Sequence, residues 1–145
     1  MSEPGNPTAT PRVVVYALIG RDARLLLVEH PDHMALPGDA VRTGEPVEAA
    51  LCRAVLDQFG ATIAALDFCA VVEHDTTQEG HSATSEVAFL FDVTLVDRDR
   101  LDESAPHPHR WAGEHQLSDL EPQAVRDALI AGTLSAENPW QAWTP

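Results

Sequence analysis

Between Leu36 and Gly60 the chain reads LPGDAVRTGEPVEAALCRAVLDQFG. Its chemistry-bearing residues are Asp39, Glu45, Arg53, Asp57 and Gln58, spread over a glycine-punctuated loop and the helix-like stretch that follows. Such a loop, opening into a helix with an arginine and an acid on one side, suits phosphate chemistry. Carboxylates are the hard oxygen donors that magnesium takes, alongside water and phosphate oxygens of a substrate. Gln58 offers a carbonyl oxygen without charge, and Ala54, one turn earlier, offers no donor.

Other reactive side chains are less organised. His107 and His109 stand two apart in PHPHRW, but no carboxylate or cysteine spacing completes a zinc site. They read as loop residues that would act as acid or base only where a substrate comes near. His30, His33, His74 and His81 fall at strand ends and turns and are expected at the surface. Cys52 and Cys69 make neither a disulfide framework nor a metal quartet and read as small buried hydrophobes. Trp111 is expected to cap the core; Trp140 and Trp143 lie in a tail that can dock on the domain or on a partner.

The elements that must position these groups are legible in outline. RVVVYALIG is a nearly continuous apolar, β-branched run, the pattern of a strand buried on both faces. RLLLVEH follows a short turn as a second strand, and PDHMALPGDAVRTGE reads as a loop. PVEAALCRAVLDQFG reads as an amphipathic helix, with Pro46 at its first position and Gly60 as its stop. Val47, Leu51, Ala54, Val55 and Gln58 fall near one face; Glu48, Cys52, Arg53 and Asp57 fall round the other. DFCAVVEH is a strand, and TSEVAFLFDVTLV alternates so that Val87, Phe89, Phe91, Val93 and Leu95 share a face. PHPHRWAG leads into a short strand. SDLEPQAVRDALIAG has capping-box spacing from Ser118 to Glu121, Pro122 near a helix start, and Gly132 as the stop. Mixed strands and helices predict an α/β layer sandwich in one domain over residues 12–132. Residues 1–11 read as a disordered tail, and residues 133–145 as a tail carrying two tryptophans.

Composition narrows the partners. The chain has 145 residues, a net charge of −14, nine arginines and no lysine. So negative a balance disfavours sequence-independent binding of nucleic acid or anionic membrane. A small phosphorylated molecule stays possible, because a bound divalent cation inverts the local field. The opening MSEPGNPTATP has neither the basic nor the apolar region of a signal peptide, no run reaches membrane-span length, and the cytoplasm is the default compartment.

The loop and helix together resemble the Nudix family, whose members hydrolyse a diphosphate linked to another group. The Nudix box runs Gly, five residues, Glu, seven residues, then Arg-Glu-aliphatic-any-Glu-Glu-any-Gly-aliphatic. Here Glu45, Arg53, Val55 and Gly60 fill their places in register, and Leu36-Pro37-Gly38 matches the usual approach. EVAFLFDVTL and HRWAGEHQLSDLEP look like the strand and the Trp-led segment common in the family, so the resemblance spans about Arg12 to Gly132. It implies an α/β/α sandwich with a mixed sheet, magnesium or manganese as cofactor, and a small nucleotide-like diphosphate as partner; a homodimer is compatible with it.

The departures are concentrated. The first glycine of the box falls on Asp39, the Glu after Arg on Ala54, the paired glutamates on Asp57 and Gln58, and the last aliphatic on Ala61. By resemblance Glu45 and Arg53 tie loop to helix and Gly60 ends it; these structural positions are kept. The acids that hold metal or activate water are reduced to Asp57. The resemblance therefore implies catalytic roles for Asp57, Gln58 and Glu86, substrate contacts at Gly38, Asp39 and Trp111, and metal at Asp57, with Asp39 and Glu86 as substitutes for the lost acids. Glu73 and Glu114 are further candidates. Two outcomes stay open: a hydrolase with a weakened metal site, and a silent or repurposed Nudix fold that binds a nucleotide, metabolite or protein.

Overall fold

RVVVYAL forms strand β1 (Arg12–Leu18), and its two faces meet different cores. Val15 and Ala17 belong to one buried cluster and Val14 to another, as an apolar run without alternation requires. The computed structural model describes residues 11–76, 84–101, 105–132 and 140–141.

Strand β1 sits in a five-stranded sheet with Gly38–Ala40 (β5), Ile63–Thr76 (β6), Thr84–Leu95 (β7) and Trp140–Gln141 (β10), in the order β10-β6-β7-β1-β5. β1 runs parallel to β7 and antiparallel to β5, so the sheet is mixed. A second sheet joins Gly20–Arg21 (β2), Arg24–Glu29 (β3), Met34–Ala35 (β4) and Leu120–Glu121 (β9), with His109–Ala112 (β8) paired to β3.

Two helices complete the sandwich. α1 (Val47–Phe59) puts Ala50, Leu51, Val55 and Phe59 into the first core, beside Phe91, Val93 and Leu95. α2 (Gln123–Ala131) puts Val125 into the second, beside Leu27, Leu36, Ala88 and Leu90. The helices thus cover opposite faces of the mixed sheet, and the architecture is the α/β/α sandwich expected. Leu51, Val55 and Phe59 are fully buried. Burial of each such side chain contributes roughly 1.5–3 kcal/mol, against propensity differences of under about 1 kcal/mol per residue. Packing, more than propensity, holds α1.

Cys52, read as a buried hydrophobe, is exposed on α1, and Cys69 is half-buried. Three details of the backbone also differ from the sequence reading. Pro46 lies just outside α1, with ψ at 145°, and the helix starts at Val47; its far end is as expected, Gly60 at φ 65° donating its N–H to the Leu56 carbonyl at 2.8 Å. The stretch expected to be loop contains β4 and β5, because β3 and β1 offer those residues backbone partners that local propensity does not reveal. The Ser118–Glu121 capping box does not form: Leu120 is fully buried and pairs with Met34, so Leu120–Glu121 is a strand and α2 begins after Pro122 without a side-chain cap. Residues 1–10 lie outside the described residues, as do Trp143 and His81.

Candidate functional site

Arg53 sits in the second turn of α1 and faces the loop that precedes the helix. Its Nε and Nη2 donate to the two oxygens of Glu45, each at 3.0 Å. Nη2 also donates to the Ala40 carbonyl at 3.0 Å, and Nη1 donates to Asp39 at 3.0 Å. Glu45 in turn accepts the Arg42 N–H at 3.1 Å, closing the loop on itself. The guanidinium fork matches a carboxylate side-on, a geometry lysine cannot copy. Its hydrogen bonds hold the Glu45 carboxyl down at about 2, with the Arg42 N–H assisting. Asp39 is pulled both ways: partial burial raises its pKa, and the hydrogen bonds from Arg53 and the Ala40 N–H more than offset that, leaving it lowered.

Asp39 is therefore the second anion of the arginine cluster. Its Oδ2 is taken by Arg53 and its Oδ1 accepts the Ala40 N–H at 2.8 Å. The structure brings together Glu45, Arg53 and Asp39, and it engages Asp39 with a cation already present in the chain.

Gln58 is engaged as well. Its Oε1 accepts the Gly38 N–H at 3.1 Å, and its Nε2 donates to the Gly38 carbonyl at 3.0 Å. The amide thus reads one backbone unit with a donor and an acceptor and ties β5 to the end of α1. Gly38 must be glycine for this approach. A Cβ there would overlap the Val15 carbonyl and press on the Tyr16 ring. The sequence gives no sign of the clamp: twenty residues separate its partners, and spacing alone does not pair them.

Asp57 and Ala54 complete the helix positions. Asp57 is exposed, whereas Ala54 is 2% exposed and points into the packed side of α1. The donors at the three acidic positions of the box are thus a short carboxylate, an amide already paired with Gly38, and a methyl group. Magnesium takes several hard, preferably anionic, oxygens in octahedral geometry, and this set does not fit it. Among the described residues, no three His, Cys, Asp or Glu side chains are arranged to hold a metal ion.

Glu86 lies elsewhere. It shares a face of β7 with Ala88 and Leu90, the face turned away from α1. Its carboxylate stands 3.1 Å from His74 Nε2, and both side chains are 6% exposed. His74 is thus not the surface residue expected. β6 continues past it to Thr76, so His74 pairs with Glu86 inside the ladder.

Trp111 packs at the edge of the first core, with the Arg21 guanidinium 4.2 Å from its ring centroid. His107 donates its backbone N–H to the Gln58 carbonyl at 3.3 Å, bringing the PHPH segment to the end of α1. His109 meets Phe59 edge-on. Glu73 borders Glu86 on the neighbouring strand, and Glu114 is exposed in a short turn.

With this geometry in view, comparison with known proteins identifies the class. The sequence matches the NUDIX domain over residues 8–131, and the chain belongs to that family. Its fold is similar to a MutT NUDIX hydrolase from Burkholderia pseudomallei (TM-score 0.64, 29% identity, 83% of this chain and 96% of that one). It is also similar to a NUDIX hydrolase from Nitrosomonas europaea (TM-score 0.63, 23% identity, 86% and 90%). A UDP-X diphosphatase shares the fold at 19% identity (TM-score 0.68, 97% and 71%). Comparison with curated proteins by sequence gives no match. Proteins of this family generally use divalent metal ions and act on small phosphorylated substrates. No helix among the described residues is long and apolar enough to cross a membrane.

Proposed function

We propose that this Nudix-family protein binds a small phosphorylated, nucleotide-like ligand beside α1 and the Gly38–Ala40 segment, and hydrolyses it slowly or not at all. One observation carries the reading. Gln58, at a position where the family has a metal-binding glutamate, is closed on Gly38 by two hydrogen bonds. An amide N–H donating to a backbone carbonyl does what a bridging cation would otherwise do there: it joins helix and loop without metal. Asp39, a candidate to replace a lost acid, is held by Arg53. Asp57 is left as the one carboxylate at the three acidic positions of the box, so any magnesium or manganese is weakly held.

The test is binding and turnover measured together. Inorganic pyrophosphate and a set of nucleoside diphosphates are titrated calorimetrically with EDTA and with magnesium, and the same compounds are assayed for hydrolysis. Binding that survives EDTA, with turnover far below that of an intact-box relative assayed alongside, is the expected result. Robust magnesium-dependent turnover would sink the reading. It would favour the second one, a pyrophosphohydrolase in which acids outside the box join Asp57 at the metal, for which the exposed position of Asp57 speaks.

A further inference from the structure

Four of the seven histidines gather at one rim of the fold. β3 and β8 pair with Leu26 opposite Trp111 and Val28 opposite His109. Glu29 carries the ladder one step further, donating its N–H to the Pro108 carbonyl at 3.0 Å. That register brings His30 opposite His107. Strand residues alternate between faces, so His30 and His107 continue the face of Val28 and His109, which is turned to the first core and to Phe59 of α1. His33 folds back over His30. The His30 N–H donates to the His33 carbonyl at 2.9 Å, and the two rings stack with centroids 4.6 Å apart, 12° from parallel. His30 and His107 are exposed, and His33 is half-buried.

This rim adjoins the proposed ligand site through one residue. Gln58 holds Gly38 with its side-chain amide, and its backbone carbonyl accepts the His107 N–H at 3.3 Å. The imidazoles thus stand at the C-terminal end of α1, where a helix favours a cation. Neighbouring arginines are committed: Arg53 to Glu45 and Asp39, Arg21 to the Trp111 ring, Arg110 to Glu29. The chain has no lysine. His30, His33 and His107 can still bring positive charge to a phosphate here.

We infer that His30, His33 and His107 form a proton-gated phosphate subsite, which takes the phosphate end of the ligand once the imidazoles are charged. The inference rests on the proposed phosphorylated ligand. Two stacked rings repel when both carry a proton, and a phosphate beside them relieves that repulsion through charge-assisted hydrogen bonds. His33 spends Nδ1 on Asp32 at 2.8 Å, which leaves Nε2 for the anion. Without ligand, partial burial holds His30 below the ordinary imidazole value; His33 and His107 add to the lowering, and Asp32 opposes it. The charged groups on the surrounding elements are Asp32, Asp57 on α1, Asp119 beside β4, and the Glu29–Arg110 pair on the opposite face of the ladder. A bound phosphate should draw protons onto the rim, so affinity should rise as pH falls through the histidine range.

The experiment is calorimetric titration of inorganic pyrophosphate, in EDTA at pH 7.5 and 5.5, into wild type and the double variant His30→Asn with His107→Asn. An ordinary imidazole is about one-tenth protonated at the higher pH and about nine-tenths at the lower, so a site that needs one such proton gains about tenfold in affinity. Wild type should bind at least about tenfold tighter than the variant at the lower pH, and nearly equally at the higher. Pyrophosphate's own titration is common to both proteins and cancels. In wild type the ring ¹⁵N titrations of His30 and His107 should move to higher pH when pyrophosphate is added, while the signals of buried His74 stay put, a readout that needs no variant to fold. The same pH dependence in both proteins, unmoved His30 and His107 titrations, or nucleotides binding where pyrophosphate does not, overturns the subsite and leaves the proposed function standing. Failure of pyrophosphate and the nucleoside diphosphates to bind at either pH overturns the proposed function and this inference with it.

Discussion

Arg53 grips Glu45 side-on, Nε to one carboxylate oxygen and Nη2 to the other, both at 3.0 Å. The same guanidinium reaches Asp39 and the Ala40 carbonyl, so one side chain gathers four acceptors from the loop. Lysine carries the charge but not the fork. Arg53→Lys should therefore lower the melting temperature by several degrees, and Arg53→Ala by more, since it leaves two carboxylates facing each other. A melting temperature unchanged in Arg53→Ala would mean the cluster is only a surface contact.

The cluster also sets an acid limit. Glu45 has its pKa depressed from 4.5 to about 2 in the fold. A depressed carboxylate contributes stability above its unfolded pKa, and that contribution is lost as pH falls through the folded one. The Glu45 share should fade between about 4.5 and 2. In urea titrations across that window, Glu45→Gln should show a shallower loss of stability than wild type. Parallel curves would show that the acid transition belongs to other carboxylates.

Gly38 is needed for space. A Cβ at this position meets the Val15 carbonyl, a backbone atom that cannot swing away. Gly38→Ala should cost about 1–3 kcal/mol, the usual penalty of forced overpacking. It should also pull Gln58 off its two backbone partners. Chemical denaturation measures the first effect, and the side-chain amide signals of Gln58 in NMR report the second. An alanine variant as stable as wild type would show that β5 shifts freely.

The scaffold was legible in the sequence because its signals are local. Pro46 and Gly60 bracket α1 through backbone geometry, and Glu45 and Arg53 hold a fixed spacing that folding turns into contact. The Val87 to Leu95 alternation gave one face of β7 correctly. What the sequence hid depends on partners far along the chain. Gln58 meets Gly38 across twenty residues, and Asp39, read as a spare metal ligand, meets Arg53 across fourteen. His74 looked like a strand end because the length of β6 is set by pairing with β7, not by its own composition. Glu86 was visible as an acid, but its face and its histidine partner were not.

The Gln58–Gly38 clamp gives the sharpest prediction. Gln58→Glu removes the donor to the Gly38 carbonyl and sets two acceptors against each other, a repulsion that a cation would relieve. Without metal the variant should melt below wild type. Magnesium should raise its melting temperature by several degrees, because a ligand that binds only the native state stabilises it, and it should leave wild type unmoved. Ala54→Glu is harder, since Ala54 is 2% exposed and a longer side chain must bend outward to reach solvent; alone it should destabilise. With Gln58→Glu and magnesium together, the new carboxylate gains a cation to face, and the double variant should recover part of the loss. Its hydrolysis of nucleoside diphosphates should rise over wild type by about a hundredfold or more, the usual contribution of a positioned acid–base group. A wild-type melting temperature that responds to magnesium as strongly as the variant's would mean that Gln58 does not replace the metal. A folded double variant with no gain in rate would place the missing chemistry outside α1.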